Sequence, residues 1–307
     1  PKEYPYTSST TKILRDNFSQ LRKQVDKKKF LKKNDLIIDI GSNDGNLLSN
    51  FNDEYRVLGV TPENVGKIAI KRGIPTIIDY FDNSVVKKIN KKYGKAKVIT
   101  ATNVFAHITE VKKLIKNIKK CLVHNGVFIS ESHYLLPLIE KNQYDTIYHE
   151  HLRYYSLTSL NYLLSKYQLE IFKAERIDTH GGSIRVYAAR KNIYKIDSSV
   201  KKIKKIENNL EKKLFDFKDR IIDSKIKFYN LLSRLYKNKK NLKIAGISAP
   251  SRSTTLINYL GLDENIIEYI FEIKGSKKIG MYLPGTKIKI VEEKIKNLKK
   301  YDYLLIF

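Results

Sequence analysis

The stretch Leu36-Ile37-Ile38-Asp39-Ile40-Gly41-Ser42-Asn43-Asp44-Gly45-Asn46 decides the fold. Apolar β-formers run into a turn bounded by two glycines, and Leu47-Leu48 then opens a segment of helical character. This reads as a strand–glycine turn–helix unit. Glycine lets the backbone come close to a ligand, and a helix N-terminus offers unbonded N–H groups. Asp39, at the strand end, can accept from a ligand amine or hydroxyl. The pattern is that of a nucleotide-cofactor site; an ordinary strand-to-helix turn would look similar.

Working outward, strands are expected at residues 36–40, 55–60, 76–78, 96–101 and 126–130. Helices are expected at 11–28, 62–72, 84–90 and 108–120, with Pro62 suited to a first turn. Alternating β and α predicts an α/β fold, a doubly wound, Rossmann-like parallel sheet. Ligands then bind where Gly41, Thr61, Asp79 and Asn103 end their strands. A further strand is expected at 184–189. One long helix is expected at 200–236, its stripe formed by Val200, Ile203, Leu210, Leu214, Phe217, Ile221 and Tyr229. A second β/α pattern follows, with strands at 242–247, 266–271 and 303–307 and a helix at 254–260. The expected organisation is a lead-in and helix (1–30), a cofactor-binding domain (31–195), a connecting helix (196–240) and a smaller, incomplete α/β domain (241–307).

The cofactor can be narrowed. The Gly-x-Gly-x-x-Gly spacing of a dinucleotide site is absent. A Gly-x-x-x-Gly turn with an acid two residues upstream suits S-adenosylmethionine (SAM) better than NAD. Asp39, Gly41, Ser42, Asn43, Gly45 and Asn103 are the expected cofactor contacts.

Composition sets the outer bounds. A chain of 307 residues, 42% hydrophobic and 30% charged, is long enough to bury a core and reads as globular. It has no apolar run of the roughly 18 residues that a membrane span needs, and no secretion signal. A single cysteine, Cys121, leaves no internal disulfide, no cysteine-based zinc cluster and no metal expected; a cytoplasmic location is the default. The net charge of +27 has two readings, an anionic partner or lysine-rich codon usage. The lysines are dispersed and no aromatic-plus-arginine platform is evident, which favours the second and makes nucleic acid an unlikely partner.

The densest reactive cluster is Tyr148-His149-Glu150-His151, followed by Tyr154-Tyr155-Ser156. Two histidines two residues apart suit one face of a strand, not the i, i+4 spacing of a helical zinc site. Acid–base chemistry fits better, because a histidine beside Glu and Tyr can be tuned near neutral pH. The segment is expected to lie over the same strand ends as the glycine turn.

Four motifs occur in order: Ile40-Gly41-Ser42-Asn43-Asp44-Gly45, Asn103-Val104-Phe105-Ala106-His107-Ile108, Asp145-Thr146-Ile147-Tyr148-His149-Glu150-His151-Leu152 and His180-Gly181-Gly182-Ser183-Ile184-Arg185. Together they resemble the sugar C-3′-methyltransferases that make branched deoxysugars. The turn Tyr282-Leu283-Pro284-Gly285-Thr286 and residues 253–262 resemble that family's C-terminal domain. The resemblance implies a SAM-dependent C-methyltransferase acting on a nucleotide-linked 4-keto-deoxysugar. It implies His151 as general base, with Tyr148, Glu150 and His107 positioning the sugar or stabilising the enolate, and Tyr6, His180 and Arg185 on the substrate side. The chain departs from that family in three ways: it lacks the N-terminal cysteine-rich zinc module, carries Thr61 where an acid holds the ribose, with Glu63 two residues on, and stops early in the C-terminal domain. Competing readings are a SAM enzyme for RNA or another anionic substrate, and an inactive truncated homologue. Oligomeric state is not legible.

Overall fold

The computed structural model describes residues 7–307. The chain divides into two compact units. One comprises the described residues up to Pro137 together with Leu152–Asn208; the other comprises Leu138–His151 and Asn209–Phe307.

The first unit is built from α1 (Lys12–Lys27), β1 (Leu36–Ile40), β2 (Arg56–Thr61), α2 (Gly66–Lys71), β3 (Thr76–Ile78), α3 (Asn83–Lys92), β4 (Ala96–Thr102), α4 (Val111–Cys121) and β5 (Leu122–His133). Helix α5 (Leu135–Glu140) runs into the segment that groups with the second unit. The first unit resumes with α6 (Leu157–Ser165), β6 (Leu169–Ile177), β7 (Ser183–Arg190) and α7 (Ser198–Ile206). Its sheet has the order β3-β2-β1-β4-β5-β7-β6. The first five strands are parallel, and β7 lies antiparallel between β5 and β6.

Every residue of β1 is buried, as a central parallel strand requires. Ile37 and Ile38 are fully enclosed, each contributing about 1.5–3 kcal/mol of apolar burial. Helix α1 sets Leu14, Phe18, Leu21 and Val25 into the same core as Ile37, Val98, Val127 and Ile129. The strand order reverses between β1 and β4, so the crevice outside their carboxyl ends is where a ligand fits this sheet. The glycine turn is at that point.

The second unit contains α8 (Leu210–Asn238), β8 (Ile244–Ile247), α9 (Ser251–Leu260), β9 (Tyr269–Glu272), β10 (Lys289–Glu292), α10 (Ile295–Leu298) and β11 (Tyr303–Ile306). Its sheet is fully parallel in the order β10-β9-β8-β11. Ile257, Leu260, Ile267, Ile270, Ile288 and Ile290 form its core, with Leu232 of α8. The α/β reading therefore holds, with a Rossmann-like domain followed by a smaller parallel sheet.

Three expectations are corrected. The single helix over 200–236 is two helices. It breaks because Glu207 turns inward: its buried carboxylate accepts from the backbone N–H groups of Leu157 (2.5 Å) and Thr158 (2.9 Å), which start α6, and from the Tyr134 hydroxyl (2.9 Å). Asn209 then takes a left-handed conformation, φ 61°, which asparagine tolerates. The helix expected after Gly45 is reduced to a 3-10 turn, Leu48–Asn50. There Ser49 Oγ and Asn50 Nδ2 donate to the Asn46 carbonyl at 2.8 and 2.9 Å, competing with helical bonds. Finally, β5 is a twelve-residue strand where only residues 126–130 were expected.

Candidate functional site

One candidate cluster is the carboxyl edge of β1, β2 and β4. Gly41 N–H donates to the Val60 carbonyl at 2.8 Å, so the turn closes onto β2 as soon as β1 ends. Gly41 has φ 73°, and a Cβ there would sit 2.5 Å from Val104 Cγ2. Only glycine serves at this crossing, where the residues after β1 and β4 touch.

Asp39 is 2% exposed and faces Thr100 across the β1–β4 pairing. Thr100 Oγ1 donates to Asp39 Oδ1 at 2.6 Å. Burial pushes the Asp39 carboxyl up to about 7, with the Thr100 bond pulling the other way. A buried acid so poised fits a cationic ligand group, which would restore its charged form. At the end of β2, the fully buried Thr61 donates its hydroxyl to the Glu63 carboxylate, which holds an acid at that strand's terminus. Asn103 ends β4 with φ 57°, and its N–H donates to the Glu131 carbonyl at 2.7 Å.

Other residues of the turn are occupied within the protein. Asn43 Oδ1 accepts from the Ser8 N–H at 3.0 Å. Asp44 accepts from Ser8 Oγ (2.7 Å) and from the Ser9 N–H (3.2 Å), and pairs with Arg72 at 3.1 Å. Burial alone would raise the Asp44 carboxyl, but the Ser9 and Ser8 bonds and the Arg72 charge outweigh it and hold it below its ordinary value. Asn43 thus fastens the segment before α1 to the turn, and in place of the helix N-terminus expected here stands a 3-10 turn. Ser42 is buried, with a side-chain oxygen that has no hydrogen-bond partner.

Arg185 lies in the interior. It is 1% exposed, and its guanidinium donates to Glu131 Oε2 at 2.9 Å from Nε and 2.7 Å from Nη2, and to Asn17 Oδ1 at 2.6 Å. Glu131 Oε1 accepts from Asn17 Nδ2 (2.9 Å) and Thr179 Oγ1 (3.1 Å). This closed network ties α1, β5 and β7 together, so Arg185 is a structural residue rather than one presented to a substrate. The family resemblance implies Arg185 on the substrate side; nothing local in the sequence marks Glu131 and Asn17 as its partners.

The turn after β6 contains His180, exposed and at φ 51°. Gly182 is needed there, since a Cβ would stand 2.6 Å from Pro137 Cβ. His107 is exposed in the connection from β4 to α4. Tyr6 lies outside the described residues.

The other candidate cluster belongs to the second unit. A 3-10 turn, Tyr144–Thr146, leads into Tyr148, His149, Glu150 and His151. Nδ1 of His151 is 3.1 Å from the Thr146 carbonyl, and Nε2 is 3.1 Å from the Tyr148 hydroxyl. A carbonyl can only accept, so Nδ1 carries a proton, and in the neutral ring Nε2 is the nitrogen with the lone pair, facing the Tyr148 hydroxyl. The two rings stand 4.3 Å apart between centroids. Glu150 is half-buried and His149 exposed. An imidazole fixed in this tautomer is built to take a proton at Nε2.

The loop is also held from α9, which no local pattern in the sequence signals. Arg252 of α9 donates from Nε to Asp145 Oδ2 at 2.7 Å, Thr255 Oγ1 donates to the Ile147 carbonyl at 3.2 Å, and the rings of Tyr259 and Tyr144 meet edge to face at 5.1 Å.

Comparison with known proteins divides the chain at a different place, between β6 and β7 of the first unit. Residues 11–174 match a family described as "Methyltransferase domain", and residues 178–307 one described as "C-methyltransferase C-terminal domain". The C-methyltransferase NovU of Streptomyces niveus is 31% identical over 263 residues, covering 83% of this chain and 62% of NovU. The chain thus spans about six-tenths of that relative's length. Among solved structures, magnesium protoporphyrin IX methyltransferase from Synechocystis PCC 6803, with bound SAH, is 12% identical. The similarity covers 58% of this chain and 84% of that one, with a TM-score of 0.47. A SAM-dependent methyltransferase from Clostridium acetobutylicum is 14% identical over 57% of this chain and 92% of its own, with a TM-score of 0.46. Likenesses of that size carry no argument about chemistry.

Proposed function

The chain belongs to the methyltransferase-domain family, and on that premise we propose that it is a SAM-dependent C-methyltransferase acting on a nucleotide-linked 4-keto-deoxysugar. The observation that carries this reading is the His151 arrangement. A neutral imidazole with Nδ1–H on a backbone carbonyl and Nε2 beside a phenol serves proton abstraction from carbon. The match to a C-methyltransferase C-terminal domain supports carbon as the acceptor.

SAM, when bound, supplies an electrophilic methyl group on a sulfonium centre. Asp39 would accept from the cofactor's ammonium group, and Glu63, held by Thr61, from its ribose hydroxyls. The backbone from Gly41 to Gly45 would line the cofactor, with Asn103 at the neighbouring strand end. Ser42 and Asn43 act by shaping that turn.

On the substrate side, His151 Nε2 takes the proton from the carbon next to the ketone, leaving an enolate carbon that could accept the methyl group, the cofactor's sulfur departing as a neutral thioether. A C–H beside a ketone gives up its proton only when the developing oxyanion is stabilised. Tyr148 and Glu150, next to His151 in the chain, would supply hydrogen bonds for that task, and by the resemblance His107, Tyr6 and His180 are further candidates for the sugar side. The test is incubation with SAM and a 4-keto nucleotide sugar, read by mass spectrometry. A product heavier by one methyl group on carbon is expected, with His151→Asn reducing the rate by about 10²–10⁴-fold. A His151→Asn variant as fast as the parent would sink the assigned role.

A further inference from the structure

We infer that the C-terminal domain acts on the base through helix α9, with Arg252 as a positioning residue that holds His151 in its proton-accepting orientation. What the base does rests on the reading above; the bracing rests on geometry within the second unit.

The loop is held by short internal bonds, among them Thr146 Oγ1 donating to the Gln143 carbonyl at 2.8 Å and His151 N–H donating to the Tyr148 carbonyl at 3.0 Å. It has one 3-10 turn, with Thr146 N–H donating to Gln143 at 3.2 Å and Ile147 N–H donating to Tyr144 at 3.0 Å. Helix α9 adds a brace from outside the loop. Arg252, Thr255 and Tyr259 stand at i, i+3 and i+7, the spacing that puts three side chains on one helix face. They engage Asp145, the Ile147 carbonyl and Tyr144 in turn. The Arg252–Asp145 pair is charged at both ends, with Nε at 2.7 Å and Nη2 at 2.5 Å from the same carboxylate oxygen.

The link to the imidazole is short. Asp145 is bonded to Thr146, and the Thr146 carbonyl is the acceptor that sets the His151 tautomer. When Asp145 moves, that carbonyl moves with it. The ring then loses the bond that keeps Nε2 the basic nitrogen. Displacements of about 1 Å at a reacting group cost roughly 10²-fold in rate. Arg252 touches neither His151 nor Tyr148 in the bonds described, so it acts through the loop alone.

The test uses the full chain and has two readouts. The first is the nitrogen NMR spectrum of His151 in the protein without substrate, which reports the tautomer directly. The parent is expected to show the Nδ1–H form, Arg252→Ala a mixture of tautomers, and Arg252→Lys an intermediate spectrum. The second is steady-state kinetics. Arg252→Ala is expected to lower kcat about 10- to 100-fold with the KM for SAM within about twofold. Asp145→Asn combined with Arg252→Ala should be no slower than the slower single variant, because both break one link. Lys239→Ala, which breaks the Lys239–Asp302 pair elsewhere in the unit, is the control and should match the parent in both readouts. An Arg252→Ala protein with the parent's His151 spectrum and kcat overturns the inference. A parent that does not methylate a 4-keto sugar, but whose His151 spectrum still depends on Arg252, overturns the proposed reaction and leaves the brace standing.

Discussion

The strand edge that would hold the cofactor and the loop that carries the histidine are stiffened in opposite ways. At the edge, position comes from the backbone and from charges sealed inside. Asp39 is enclosed by β1 and β4, and the Glu131–Arg185 pair is at most 1% exposed on either side. In the loop, Arg252 is 47% exposed, and three side chains from one helix brace it from outside. A buried network resists displacement because every member has a partner, and removing one leaves a stranded charge. An exposed brace yields cheaply, and its loss is felt as geometry more than as stability. Substitutions at the edge should therefore change folding, and substitutions in the loop should change turnover.

The sharpest way to break that contrast is Arg185→Met. It strands Glu131 in the interior and should cost about 3–5 kcal/mol of unfolding free energy, measured by urea titration. A loss below about 1 kcal/mol would mean that the edge is no more sealed than the loop.

Asp39→Asn is the next largest. Burial raises the folded-state pKa of Asp39 to about 7, from 3.8. The folded chain therefore binds this proton more tightly than the unfolded one. Its contribution to stability is intact below about pH 4 and falls as pH rises from about 4 to 7. The asparagine amide cannot ionise, so the variant should unfold a few degrees higher than the parent at about pH 8 and show a flatter midpoint between about pH 4 and 7. It should also bind SAM more weakly by calorimetry. Parent affinity should rise with pH toward about 7, since a cationic ligand favours the ionised acid. A variant with the parent's pH profile would contradict the assignment.

Glu63→Gln is the smallest. It keeps the shape at the end of β2 while removing the charge. An approximately tenfold weaker SAM dissociation constant is expected, with an unchanged unfolding midpoint. Unchanged affinity would remove Glu63 from the ribose.

The same contrast explains how much could be read from the sequence. The alternation of strands and helices up to β5 was legible because apolar runs, glycines and short polar turns are local signals. The Gly41 crossing was legible for the same reason, as was the concentration of Tyr and His at residues 148–151. What escaped was set by distant partners. Glu207 ends α7 because α6, some fifty residues earlier, needs a cap; the Asn208-Asn209 pair was the only local hint of a break. Leu47, Leu48 and Phe51 look helical, but all three are drawn into the core around a 3-10 turn. Arg185 looks like a substrate residue until Glu131 and Asn17 are placed beside it. Helix α9 reads as the first helix of a separate domain, and no pattern in it announces that it grips residues 144–147.

Removal of a carbon-bound proton by His151 Nε2 can be measured directly. The protein is mixed with a 4-keto nucleotide sugar in deuterated water, with no SAM present, and the sugar is followed by proton NMR. Loss of the signal from the carbon next to the ketone is expected with the parent protein, and little or no loss with His151→Asn. Parent protein that methylates this sugar yet exchanges nothing, or a His151→Asn variant that exchanges at the parent's rate, would contradict the account.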